Sequence, residues 1–340
     1  MASALEVNFN YTYPGILPLE VFFKPTEDTP ALSDMFIIDQ GISHSKRYNL
    51  LNQLSKILKP YRGCERQFTG TGTITNTTLV TKEHEVGLEW CKDDFTQQLS
   101  GLYNILAQEW LKTGNQSFDP SGTPINTIIT QLIEDAIRRD VFRKVCFAAQ
   151  DDADEDWNQI DGLITRLIDT SGGSNYCVRR ASTDIGTLTA GLALTALKAC
   201  YEESANILKA IPNSKKEFWV TGSVYENLLT SYESNSTGSD MQFSLLMKGP
   251  SGQLQYRGIN VTPIYFWDTL LEDTTNPWYG TVSNLIIYTT KENHYLGVES
   301  TADLNKIEGW YERKDRKYYF EGDMKFGYQY LHCDLQTIAY

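Results

Sequence analysis

Thr221-Gly222-Ser223 stands where chemistry is often done. An apolar run, Phe218-Trp219-Val220, leads into it, and a stretch with helical spacing follows from Val224 to Tyr232. A serine at such a strand-to-helix turn can serve as a nucleophile, and the helix start can bind an anion. The surrounding pattern argues against both. The Gly-x-Ser-x-Gly signature of a nucleophile elbow is missing. Glu226 stands three residues after Ser223 and completes a Ser-x-x-Glu capping box, so Ser223 is read as the helix N-cap. No Lys or Arg follows nearby to help hold an anion.

The other candidate chemistry is thinner. His44, His84, His294 and His332 form no HxxH, HExxH or HxH pattern, so a metal would need ligands gathered from afar. The run "TGTGT" (69–73) is a lone Gly-x-Gly with no helix behind it and reads as a flexible hairpin. The acidic run "DDADED" (151–156) lacks the glycine and the terminal Glu of a calcium loop and reads as a solvated boundary. The six cysteines, Cys64, Cys91, Cys146, Cys177, Cys200 and Cys333, include no CxxC pair and are read as reduced thiols. No catalytic residue, cofactor or metal is expected, and the chain is read as a building block and not an enzyme.

The elements around these residues fall into a coarse order. Residues 1–45 carry Pro14, Pro18, Pro25 and Pro30 and read as an extended arm that cannot bury itself alone. Residues 46–59 place Leu50, Leu51, Leu54, Ile57 and Leu58 at helical spacing before Pro60. Residues 65–91 read as a β-hairpin turning near Asn76, with a thin apolar face. An isolated two-stranded hairpin is marginal in water, so it needs a partner surface in its own domain or on another subunit. A helix is expected over 93–112. A long one is expected from Thr123 as N-cap and Pro124 as first residue through Ile125, Ile128, Ile129, Leu132, Ile133, Ala136 and Ile137 to Val145. A helix carrying Trp157, Ile160, Ile164, Leu167 and Ile168 follows the acidic run, and another spans about Asp184 to Ala210. Strands then dominate to the C-terminus. Helices followed mostly by strands indicate an α+β fold.

The composition is that of an ordinary globular chain, 41% hydrophobic and 21% charged. The formal net charge of −13 excludes a protein that holds nucleic acid by neutralising phosphates. It leaves room for a container that encloses nucleic acid without gripping it. No 18-residue apolar run and no signal-peptide pattern are visible, so no membrane partner is expected.

Four stretches together carry a resemblance: "EFWVTGSVYENLLTSY", "GQLQYRGINVTPIYFW", "NLIIYTTKENHYLGVES" and "MKFGYQYLHCDLQTIAY". Their succession over residues 215–340 resembles the major capsid proteins of tailed bacteriophages, with the Hong Kong 97 type fold. The resemblance implies an N-terminal arm (1–60), an extended E-loop hairpin (61–92), a peripheral domain with a long spine helix (93–154), an axial domain (155–300) and a C-terminal return to the peripheral domain (301–340). It implies a homo-oligomer of hexamers and pentamers forming an icosahedral shell in the host cytoplasm around double-stranded DNA, with scaffold, portal and decoration proteins as further partners. Phe68, Ile74, Leu79, Val86, Leu88 and Trp90 on the hairpin are then the expected assembly contacts. An encapsulin-like compartment shares these elements. A minor virion protein, or a soluble α+β enzyme with a site built from distant residues, remains the alternative from other classes.

Overall fold

The computed structural model describes residues 31–51, 74–91, 124–169, 178–235, 246–249, 252–299, 308–312, 314–315 and 317–340. In chain order the first elements are α1 (Leu32–Met35), β1 (Ile37–Asp39), β2 (Ser45–Leu51), β3 (Ile74–Val80), β4 (Lys82–Cys91), α2 (Pro124–Phe147) and α3 (Leu163–Asp169). Next come β5 (Arg179–Arg180), α4 (Leu192–Glu203), α5 (Asn206–Ala210), β6 (Glu217–Thr221), α6 (Gly222–Asn235), β7 (Leu246–Lys248), β8 (Leu254–Tyr256) and β9 (Ile259–Ile264). The last are α7 (Tyr265–Glu272), β10 (Ile286–Thr289), β11 (His294–Val298), β12 (Glu308–Glu312), β13 (Lys317–Tyr330) and β14 (Gln336–Ala339). The chain divides into two units: Met1–Thr26, Glu83–Asp140 and Thr301–Met324 form one, and Glu27–Lys82, Val141–Ser300 and Lys325–Tyr340 the other.

The long helix occupies Pro124–Phe147, 24 residues and about 36 Å at 1.5 Å per residue. Its expected cap, Thr123, and the expected helix over 93–112 lie outside the described residues. Helix α2 contributes to both units. In the first unit Ile133 and Ile137 are buried, and in the second Val141, Phe142, Val145, Cys146 and Phe147. Also in the first unit, β12 pairs antiparallel with β13 from Glu308↔Glu321 to Glu312↔Lys317. Strand β4 pairs with β13 as well, and Lys317 Nζ meets Glu89 Oε1 at 2.9 Å.

The second unit is built on a seven-stranded sheet in the order β5-β14-β10-β6-β9-β8-β7. Strands β6 and β9 run parallel, with α6, β7 and β8 between them in the chain, and the β10 pairs on either side run antiparallel. The central strands β6 and β10 are buried on both faces and so read as apolar runs, whereas β9 alternates and β5 at the edge is exposed. One face packs Phe218, Val220, Ile286 and Tyr288 against Leu197 and Cys200 of α4 and Val224 and Leu228 of α6. On the other side Trp219 lies 6.2 Å from Phe36 and 4.9 Å from His294, ring to ring. His294 is wholly buried, held by Thr289 Oγ1 and the Tyr328 hydroxyl, each at 2.7 Å. Burial holds its pKa down to about 3, so the ring stays neutral with both nitrogens engaged by its neighbours.

Several expectations are corrected. Residues 45–51 are a strand, not the start of a helix: β2 pairs with β3 from Ser45↔Val80 to Leu51↔Ile74. Helical spacing of the leucines loses to tertiary pairing, as propensity often does. Asn76 is therefore mid-strand, opposite Asn49, and not a turn. The helix expected over Asp184–Ala210 begins only at Leu192 and breaks at Ser204-Ala205, both extended. Asp184 Oδ1 accepts from Gly186 N at 2.9 Å, a turn that competes with helix, and Gly191 takes φ 76°. After the acidic run the chain makes turns, with Asp152 and Asp154 accepting from the backbone two residues on. Trp157 and Ile160 are buried there, and α3 starts at Leu163. The final strand, β14, sits inside the seven-stranded sheet between β5 and β10. Cys333 is disulfide-bonded, because distance in the fold and not spacing in the sequence decides such pairing. Cys146 and Cys200 are free and buried, and burial pushes the Cys146 thiol up to about 12.

Candidate functional site: a two-stranded ribbon and its root

The strand-to-helix turn is already occupied. Asp268 on α7 accepts from Gly222 N at 2.5 Å and Ser223 N at 3.1 Å, and the Ser223 hydroxyl donates to the same carboxylate. Two of the unpaired N–H groups at the start of α6 are thus satisfied by a residue from another helix. Ser223 is inside the helix and is not its cap. Glu226 does not reach back as a capping box requires, but accepts from the Tyr265 hydroxyl at 3.1 Å. Gly222 is needed because a Cβ there would lie 2.3 Å from the Tyr265 ring and 2.9 Å from the Asp268 carboxylate. A carboxylate in this place repels an anion. Asp268→Ala is expected to cost about 2 kcal/mol in chemical denaturation, since it strands two amides. Ser223→Ala costs less than half of that, because both amide bonds to Asp268 remain.

The ribbon of β2 and β3 is a two-stranded sheet of its own. On one face Ser45, Arg47, Asn49, Asn76, Thr78 and Val80 are all exposed, and Ile74 is 62% exposed. On the other face Leu79 is fully buried, Tyr48, Leu50 and Thr77 are half-buried, and Lys46 and Thr75 are exposed. The end at Leu79 is the one whose anchoring contacts can be named.

That end, the root, is fixed by three devices. Asp39 on β1 binds both Lys46 Nζ, at 2.5 Å, and the Tyr48 hydroxyl. Partial burial pulls the Asp39 pKa upward, but the hydrogen bonds from Lys46 and Tyr48 and the Lys46 charge outweigh it and hold the carboxyl below its usual value. The Tyr48 ring also packs 5.1 Å from Tyr295 of β11. Secondly, Thr81, the single residue between β3 and β4, donates its amide to His44 O at 2.9 Å and its hydroxyl to Ile42 O at 3.3 Å. Thirdly, β11 and β13 place Gly297 directly opposite Gly327. A Cβ on Gly297 would lie 2.3 Å from a Leu79 methyl, and one on Gly327 would lie 2.0 Å from Val80 O. The two glycines form a saddle over which the chain passes from ribbon to β4. Glycine inside a strand often marks such a close backbone approach.

The six expected contact residues are not one set. Phe68 lies outside the described residues. Ile74 and Leu79 are on β3 in the second unit, and Val86, Leu88 and Trp90 are on β4 in the first. Leu79 is corrected: it is 0% exposed and anchors the ribbon to its own unit, so it is not free to meet a neighbour. Ile74 and Leu88 are exposed, and Val86 is half-buried. The side chain of Trp90 falls outside the described residues. Asp39, Gly297, Gly327 and Asp268 were not singled out from sequence. The glycines left a signal, each a lone Gly within a strand pattern ("HYLGVES", "MKFGYQY"). Asp39 and Asp268 left none.

Among the described residues no group of His, Cys, Asp and Glu could hold a metal, and no helix is long and apolar enough to cross a membrane. No protein-family model and no curated protein matches the chain in sequence. Solved structures do match over nearly the whole length. A Gordonia phage Cozz chain is 13% identical, with 96% of this chain and 90% of that one covered and a TM-score of 0.58. The capsid of Myoviridae phage XM1 gives 12% identity, 96% and 99% coverage and a TM-score of 0.57. The capsid of a native GTA particle gives 12% identity, 100% and 98% coverage and a TM-score of 0.55. The fold is the α+β Hong Kong 97 type capsid fold.

Proposed function

We propose that this chain, which has the fold of phage capsid subunits, is a major capsid protein. Copies of it associate into hexamers and pentamers of an icosahedral shell that encloses a double-stranded DNA phage genome. Assembly takes place in the bacterial cytoplasm, with scaffold, portal and decoration proteins as partners, and the chain is no enzyme. The observation that carries this reading is the ribbon of β2 and β3. It is anchored firmly at one end and left with exposed apolar side chains, Ile74 and Val80, at 62% and 44% exposure. A neighbouring copy supplies the burial that its own unit does not. Each such contact can be weak, because a closed shell holds every subunit by many at once. The net charge of −13 suits a wall that must not bind its contents tightly.

Expression of the full chain, alone and with its scaffold, followed by negative-stain microscopy and sedimentation, tests the proposal. Closed particles built from rings of five and six are the expected result. A monomer that stays monomeric in both preparations overturns it. Nucleic acid content of particles from infected cells then distinguishes a genome container from a compartment loaded with protein.

A further inference from the structure

The ribbon is basic in an acidic chain. Its strands, Ser45–Leu51 and Ile74–Val80, contain Lys46 and Arg47 and no Asp or Glu, while the formal net charge of the chain is −13. The two cations have different surroundings. Opposite residues of an antiparallel pair share a face, so Lys46 lies with Leu79 on the anchored side and Arg47 lies with Thr78 on the other. Lys46 is held by Asp39 at 2.5 Å. Arg47 is exposed and meets no carboxylate among the described residues. Arg166, Lys215, Arg257 and Lys325 of the same unit each meet one, in Asp161, Glu292, Glu202 and Glu299.

The position of Arg47 on that face is specific. Along the ribbon the pairs run Ser45 with Val80, Arg47 with Thr78, Asn49 with Asn76 and Leu51 with Ile74. The exposed apolar side chains Val80 and Ile74 thus stand to either side of a polar middle whose one charge is Arg47. At about 3.4 Å per residue, the Arg47 pair is about 7 Å from the Val80 pair and about 14 Å from the Ile74 pair. A lone guanidinium between apolar side chains is poorly suited to a nucleic-acid backbone, which is gripped by several cations at once. It is well suited to a protein surface, where arginine is enriched among the residues that dominate binding and its planar fork takes a carboxylate by two bonds.

A second copy of this chain supplies the complementary charge, since each copy carries 43 Asp and Glu against 30 Lys and Arg. Two such copies repel each other through their net charge, and a contact of opposite sign both offsets that repulsion and favours one docked orientation. We propose that the exposed face of the ribbon docks on a second copy by placing Arg47 against a carboxylate of that copy, with Val80 and Ile74 on apolar surface to either side. The proposal rests on the reading of the chain as a shell subunit and adds to it the residue that selects the partner surface.

The test uses the purified full chain, freed of nucleic acid, and its Arg47→Gln, Arg47→Glu and Arg47→Lys variants. Arg47 makes no ion pair within its own chain, so the unassembled variants are expected to melt within about 2 °C of the parent. The subunit concentration needed to form shells is expected to rise about tenfold in Arg47→Gln, further in Arg47→Glu and less in Arg47→Lys, which keeps the charge but not the fork. In shells of Arg47→Lys mixed from isotopically labelled and unlabelled copies, a carbodiimide is expected to join the new amine to an Asp or Glu of another copy, read by mass spectrometry. Arg47→Gln and Arg47→Glu variants that form shells at the parent's concentration overturn the proposal. So does a cross-link confined to one copy, or a defect that appears only when DNA is added, which would assign Arg47 to a phosphate. Parent chains that form no shells overturn the reading beneath it, so the two failures are told apart.

Discussion

Replacing residues 52–73 with an Asn-Gly turn between Leu51 and Ile74 leaves a subunit that folds, melts within a few degrees of the parent and no longer closes shells. Leu51 and Ile74 are cross-strand partners, and a two-residue Asn-Gly turn is the favoured closure of such a pair. All three root devices, at Asp39, Thr81 and the glycine saddle, lie outside the replaced segment. Deleting residues 68–90 is expected to do the opposite and unfold the chain. That cut removes Leu79, whose loss alone is worth about 2–5 kcal/mol by the cost of truncating a buried leucine. It also removes nearly all of β4, which pairs with β13. Circular dichroism and thermal melting report the fold of each variant, and microscopy reports closure. A short-turn variant that unfolds would show that residues 52–73 serve their own core, and one that assembles as well as the parent would show that closure does not need them.

The contrast between these two cuts marks where the sequence was legible. The spine helix was readable because its signals are local: Pro124 opens it, and isoleucines recur every three or four residues. The strands "EFWV", "NLIIYTT" and "HYLGV" were readable for the same reason, as short apolar runs bounded by turns. The hairpin was half readable. Its apolar alternation announced strands at 74–91, but not that β3 pairs backward with β2 while β4 pairs with β13. Nothing within a strand names its partner, and leucines at 50, 51 and 54 suit a helix equally well. The capping box shows the same limit. Ser223 and Glu226 match the local pattern, but Asp268, 45 residues from Ser223, takes the amides first. Tyr265, 39 residues from Glu226, takes the glutamate. Long-range groups decided both cases, and neither had a local signature.

The glycine saddle yields the sharpest test of how the ribbon is held. Gly327→Ala places a methyl 2.0 Å from Val80 O, far inside contact distance. The obstacle is backbone, so no rotamer change relieves it, and the chain at residues 79–81 must move. Overpacking of this kind costs about 1–3 kcal/mol and at times more. The upper end is expected here, with assembly impaired because the root is tilted. Gly297→Ala differs in a telling way. Its methyl meets the end of the Leu79 side chain, 2.3 Å from Cδ2. Shortening that side chain makes room. The cost of Gly297→Ala should therefore shrink in a Leu79→Ala background, while the cost of Gly327→Ala should not, since residue 80 keeps its carbonyl whatever the side chain at 79. Gly87→Ala is the control: nothing lies within 4 Å of its added methyl, so it should be close to neutral. Denaturation midpoints for the four single and two double variants decide the matter. If Leu79→Ala rescues both glycine variants equally, the chain over the saddle is pliable. The ribbon would then have no rigid root, and its anchoring would rest on Asp39 and Thr81 alone.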